Sequence, residues 1–213
     1  MRKLNVLTFM TLDGVMQAPG GPGEDESGGF KYGGWSVGYF DDELGRAMGE
    51  QMSRPFDLLL GRRTYDIFAA HWPRVPADDP AGQVINRATK YVVTHRPVTT
   101  DWKTTVPISG DVVARIKALK QENGPELQVH GSSNLIQTLL KNDLIDELLL
   151  KIYPVTVGSG KRLFGEGTIP AGFAVTGGTV SPSGVIIASY RRAGDIKLGS
   201  FELAPASEAT NRS

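Results

Sequence analysis

The chain has 213 residues, with 23 basic and 23 acidic side chains and no cysteine. That length fits one domain with a sizeable core. A zero formal charge gives no field that would gather nucleic acid or an anionic membrane, and the absence of Cys excludes disulfides and thiolate chemistry. Lys3 to Met10 alternates and is rich in Leu, Val and Phe, which predicts a strand. Asn5, Thr8, Thr11 and Asp13 break this apolar run, so it makes a poor signal peptide. No stretch approaches the ~20 apolar residues of a membrane span, and a cytoplasmic protein is expected. Thr11 to Trp35 is rich in Gly and Pro and reads as a long loop. Loops of that length inside compact domains are usually functional or disordered. Phe40 to Met52 carries apolar residues at helical spacing, with Asp41 and Asp42 near its start, where the helix dipole favours acids.

Phe56 to Leu60 reads as a buried strand broken by Gly61, and Thr64 to Ala70 as a helix that ends before Pro73. Lys90 to Thr94 is a strand closed by Arg96-Pro97. Asp111 to Gln121 is a helix capped by Ser109 or Asp111. Glu126 to His130 is a strand and Asn134 to Lys141 a helix. Glu147 to Val157 is a long, largely apolar strand. Phe173 to Val180 and Val185 to Arg192 flank Ser181-Pro182-Ser183-Gly184, a hairpin signal. Residues 1–203 form the expected domain, and the small polar tail, residues 204–213, is expected to be disordered. Alternating strands and helices with a final hairpin predict an α/β sheet, largely parallel, with an antiparallel end.

In such a sheet, ligands bind beyond the carboxyl ends of the strands. Three strand ends here carry unusual residues: Gly61-Arg62-Arg63-Thr64, Thr94-His95-Arg96 and His130-Gly131-Ser132-Ser133-Asn134. A helix N-terminus offers free N–H groups and a positive dipole end. Glycine admits a phosphate close to the backbone, and arginine grips it with two donors. Taken singly, Gly131-Ser132-Ser133-Asn134 reads first as an ordinary helix cap, Arg62 and Arg63 as a solvated first turn, and His95 as a surface residue. Together the three ends fit one elongated ligand with several phosphates, such as a dinucleotide. The Gly-x-Gly-x-x-Gly fingerprint is absent after the first strand, which disfavours a Rossmann fold. His71, His95 and His130 are far apart in sequence and near no carboxylate pair at ligand spacing, so no metal site is expected.

Five segments resemble the dihydrofolate reductase superfamily in its own order: Leu7–Met16, Asp57–Phe68, Lys90–Pro97, Glu126–Leu140 and Asp146–Phe164. The chain looks most like the free-standing form of the C-terminal reductase domain of the riboflavin-biosynthesis deaminase-reductase. The resemblance implies a mostly parallel mixed sheet flanked by helices, with a C-terminal antiparallel hairpin. It also implies a homodimer and an NADPH-dependent reductase of a small pterin-like or ribitylamino-pyrimidine-like ring. By the same transfer, Gly61, Arg62, Arg63 and Thr64 hold the pyrophosphate and adenosine side. Thr94, His95 and Arg96 face the adenosine 2′-phosphate. Gly131, Ser132, Ser133 and Asn134 form the turn under the pyrophosphate, with Ser132 standing where the family often has a second glycine. Asp13 and Asp41 are the catalytic candidates, with a turn residue and a helix-start charge as the alternative readings, and Gly14, Trp35, Phe40 and Phe68 are the substrate-side ones, Phe68 equally suiting the core. Without cysteine the zinc signature of the partner deaminase cannot form, so a riboflavin-pathway role would need a separate deaminase. The alternative reading is a non-catalytic dinucleotide-binding or regulatory protein that keeps the fold.

Overall fold

The computed structural model describes residues 1–98, 102–166 and 168–201. Eight strands form one sheet. They are β1 (Leu4–Thr11), β2 (Phe56–Gly61), β3 (Lys90–Val93), β4 (Thr105–Ile108), β5 (Glu126–Val129), β6 (Glu147–Tyr153), β7 (Phe173–Val180) and β8 (Ile186–Arg192). Their order is β4-β3-β2-β5-β1-β6-β8-β7. Pairing is parallel from β4 to β6 and antiparallel from β6 through β8 to β7. Among the described residues five α-helices accompany it: α1 (Asp42–Met52), α2 (Arg62–His71), α3 (Pro80–Arg87), α4 (Val112–Gln121) and α5 (Ser133–Lys141). This is the predicted mixed sheet with its terminal hairpin.

The central strands are buried on both faces, so their apolar runs are nearly continuous. Leu58, Leu59 and Leu60 of β2 are all fully buried. The largest core cluster joins β1, β5 and β6 to α4 and α5, through Val6, Leu127, Leu148, Ile116 and Leu139. A second packs β2 and β3 against Tyr65 of α2 and Ile85 of α3.

Several boundaries differ from the sequence reading. β6 ends at Tyr153 rather than Val157, because Pro154 has no N–H for the ladder. It is also an interior strand, paired with β1 and β8, so the exposed edge lies on β7 instead. α2 begins at Arg62, two residues before the predicted start. α1 begins at Asp42 behind an Asp41 cap, which leaves Phe40 outside it and 64% exposed. Two elements had no sequence assignment. α3 is only 8 residues long, although Asp79 caps it through Gly82 N–H and Pro80 opens it. β4 is a four-residue edge strand that contains Pro107, a residue tolerated only at an edge. Residues 11–35 are an ordered loop whose Val15, Ala18 and Phe30 form a small buried cluster. Residues 204–213, the predicted disordered tail, lie outside the described residues.

Candidate active site

A cavity of about 460 Å³ opens over the carboxyl ends of β2 and β5. Its floor includes Leu7, Thr8 and Phe9 of β1 and Lys151 of β6. Met48, Gln51 and Met52 of α1 form one wall. Residues 16–20 with Glu24 and Asp25 of the long loop form another. The first turn of α2, through Arg63 and Thr64, and the run His130 to Asn134 complete it.

Two strand-to-helix turns meet at this cavity. Gly61 donates its N–H to the Gly131 carbonyl at 3.1 Å. A Cβ on Gly61 would stand 2.1 Å from Ser132 Oγ, so a side chain there has no room. Gly131 has φ +154, and a Cβ there would meet Thr64 Oγ1 at 2.5 Å. The peptide between Gly131 and Ser132 is cis. Ser132 occupies the N-cap position of α5, yet its side chain makes no capping hydrogen bond. Gly61, the N-cap of α2, has no side chain to offer. Both helices therefore begin with amide groups that no capping side chain fills, and both beginnings line the cavity. Such amides, with the dipole behind them, suit an anion.

Charge at the site is already partly matched. Arg63 Nε lies 2.9 Å from Asp25, and Lys161 Nζ lies 2.6 Å from the same carboxylate. Asp25 is buried, which pulls its carboxyl up, but hydrogen bonds from Lys161 and Ser27 outweigh burial and hold it below the usual range. Burial raises neighbouring Glu24, against N–H bonds from Gly20 and Gly21.

The floor holds a group that sequence reasoning missed. Lys151 is 3% exposed, and its ammonium donates to Gln51 Oε1. Burial pushes it down to about 7. His130, at the end of β5, is pushed to about 3 by burial and by the Lys151 charge, so its ring is neutral near pH 7. Its Nε2 stands 3.4 Å from Gln128 Oε1, and its ring centre 5.8 Å from that of Phe68. A lone lysine inside Leu148–Ile152, an otherwise apolar strand run, was the available signal.

The family model of the RibD C-terminal domain matches residues 2–186. The chain belongs to the RibD C-terminal domain family. A relative in Bacillus subtilis (strain 168), the uncharacterized protein YyaP, is 27% identical over 110 residues. That match covers 50% of this chain and 58% of the relative. Among solved structures, a riboflavin-biosynthesis candidate from Shewanella sp. PV-4 is similar with a TM-score of 0.65 and 23% identity, covering 90% of this chain and 99% of that one. Dihydrofolate reductase from Enterococcus faecalis, solved with NADP(H), gives 0.55 and 14% over 89% and 96%. At such identities these likenesses show a shared fold.

Within this RibD-type domain the predicted site residues separate into three groups. Arg63, Thr64, Phe68 and Gly131 to Asn134 line the cavity, with Gly61 immediately behind. Arg62 points elsewhere: its guanidinium bonds Asp66 at 2.8 Å and the Pro97 carbonyl at 2.7 Å. It thereby ties α2 to the turn of Thr94, His95 and Arg96, so those two cation-rich strand ends are neighbours, although Arg62, Thr94, His95 and Arg96 do not line the cavity. The third group is not on the cavity wall. Asp13 accepts the Gly158 N–H at 2.8 Å and a Thr11 hydroxyl bond, which with backbone donors hold its carboxyl below the usual range despite some desolvation. Asp41 accepts Leu44 N–H and Ser183 N–H, both at 2.9 Å, and is lowered to about 2, chiefly by the Leu44 bond. The two acids expected near a reacting ring thus fasten a loop and cap a helix. Gly14 takes φ +81 in the turn after β1. Trp35 donates to the Gln17 carbonyl at 2.8 Å and packs edge-on to Tyr153 behind the loop, and Phe40 faces solvent. Among the described residues no group of three or more His, Asp or Glu could hold a metal ion, and no helix is long and apolar enough to cross a membrane.

Proposed function

We propose that this chain is an NADPH-dependent reductase of a small heteroaromatic ring. The observation that carries the reading is one cavity, in a chain of a reductase family, lined by two uncapped strand-to-helix turns on one side and by a buried polar floor on the other. A dinucleotide fits the residues present. Gly61 and Gly131 let the two turns pack together, Gly61 against Ser132 and Gly131 against Thr64, and the first turns of α2 and α5 offer amide donors. Thr64, Ser133 and Asn134 add side-chain partners for a pyrophosphate, and Arg63 adds a charge. Thr94, His95 and Arg96 supply the cationic surface for a 2′-phosphate. A nicotinamide held there would supply the hydride for the substrate ring. The chain's own part is to exclude water with Phe9, Met48, Met52 and Phe68, and to orient the ring against that hydride source.

The placement of Asp13 and Asp41 away from the cavity favours one other reading, a dinucleotide-binding protein without turnover. Titration of NADPH and NADH, followed by protein fluorescence, separates the possibilities, because Trp72 lines the cavity. Tighter binding of NADPH, with its oxidation by a ring acceptor from a panel, is the expected result. Binding without oxidation by any acceptor supports the second reading. Failure of both cofactors to bind overturns the proposal.

A further inference from the structure

The cations that line the cavity are not alike. Arg63 and Lys161 keep side-chain exposures of 51% and 36% and pair with Asp25. Lys151 is 3% exposed, and among the described residues no carboxylate forms an ion pair with it. An ammonium has three donor hydrogens, and Gln51 Oε1 accepts one. A buried cation left with spare donors is costly unless an acceptor reaches it. Of its neighbours across the sheet, Ile187 offers no acceptor, and the Phe9 ring faces the ammonium at 5.8 Å from its centroid without taking a hydrogen bond. With Oε1 held on the ammonium, the Gln51 amide nitrogen is a second donor beside it. The floor therefore presents donors to the cavity.

Position separates this floor from the anion-friendly turns. Those turns follow β2 and β5, whereas Lys151 sits on β6, with β5 and β1 between β2 and β6. Three strand spacings separate β6 from β2 and two separate it from β5, about 14 Å and about 10 Å. One end of the cavity is thus suited to phosphate and the other to the edge of a ring.

We infer that Lys151, with Gln51, determines substrate specificity by taking a carbonyl oxygen on the edge of a flat ring. This rests on the reductase reading only in assigning the β6 end of the cavity to substrate rather than cofactor. A carbonyl oxygen has two lone pairs and no hydrogen, which matches two convergent donors. A ring without the oxygen leaves both donors unpaired, and a site built for hydrogen bonding rejects such an analogue strongly.

The test uses 1-indanone and indane, flat rings that differ in one carbonyl, titrated into the full chain by NMR with and without saturating NADPH. Wild type should bind 1-indanone at least ~10-fold more tightly than indane, with a shift of the Lys151 ammonium signal. Lys151→Met should remove that preference while NADPH affinity stays unchanged. Gln51→Leu, which keeps Lys151 in place, should reduce the preference and still leave the Lys151 signal responsive. Equal binding of both rings by wild type, binding of neither, or a preference that survives Lys151→Met overturns the inference. A Lys151-dependent preference in a protein that does not bind NADPH supports the inference and overturns the reductase reading alone.

Discussion

Arg63 of α2 and Asp25 of the long loop form an ion pair of 2.9 Å on the wall of the cavity, and Lys161 reaches the same carboxylate at 2.6 Å. Asp25 therefore stands where an anionic ligand's charge would be met. Replacement by a neutral isostere, Asp25→Asn, should free both cations and tighten NADPH binding by about 2- to 5-fold, the scale of a partly exposed ion pair. Fluorescence titration at two salt concentrations checks this, since the gain should shrink as salt rises. Weaker binding in Asp25→Asn would mean that the carboxylate serves to hold the loop in place.

The contact between Gly61 and Ser132 makes a second prediction. A methyl group on Gly61 would collide with Ser132 Oγ at 2.1 Å and Cβ at 2.9 Å. Gly61→Ala should cost about 1–3 kcal/mol of stability and weaken dinucleotide binding, because the two turns must move apart. Adding Ser132→Gly removes both colliding atoms and should restore most of the stability. Urea denaturation of the single and double variants reads the coupling directly. Equal stability of wild type and Gly61→Ala would show that the turns are loosely held.

Buried lysines give a pH dependence with a defined sign. Lys151 falls from 10.5 to about 7 through burial. Lys90 falls from 10.5 to about 8 through burial, opposed by Asp57. Between the folded and unfolded values the unfolded chain binds more protons, so stability rises with pH in that interval. The penalty is complete below pH 7 and fades toward pH 10. Lys151→Met should raise stability at pH 6 by a few kcal/mol and flatten the alkaline rise, leaving the share due to Lys90. Denaturation midpoints at pH 6, 8 and 9.5 check it; parallel curves for wild type and variant would mean that Lys151 titrates normally.

We expect a homodimer built on β7. This strand ends the sheet with one side unpaired, and its Val175 and Val180 are 69% and 63% exposed. An exposed apolar edge invites another chain unless it is covered. Light scattering at micromolar concentration should give twice the chain mass, and Val175→Lys should shift it toward the monomer. A monomeric wild type would reject the arrangement.

Much of the fold was legible along the chain because periodicity is a local property. Leu4–Thr11 declares itself by alternation, the hairpin strands by the turn residues Ser181 to Gly184 between them, and α5 by its capping position and apolar spacing. The glycine-bearing strand ends were legible for the same reason: a tight turn into a helix demands small residues wherever it occurs. α3 and β4 escaped because 8 and 4 residues carry too little pattern. What only the tertiary structure decided is which local features share a space. The order β2-β5-β1-β6 brings the turns after β2 and β5 together at one end of the cavity and sets Lys151 on its floor at the other. Asp13 and Asp41 have the chemistry of catalytic acids, but backbone amides from residues 157–158 and 183, distant in sequence, claim their carboxylates. Sequence named the chemical groups, while sheet order and long-range hydrogen bonding determined which of them face the cavity, because a side chain's partner is set by the fold around it.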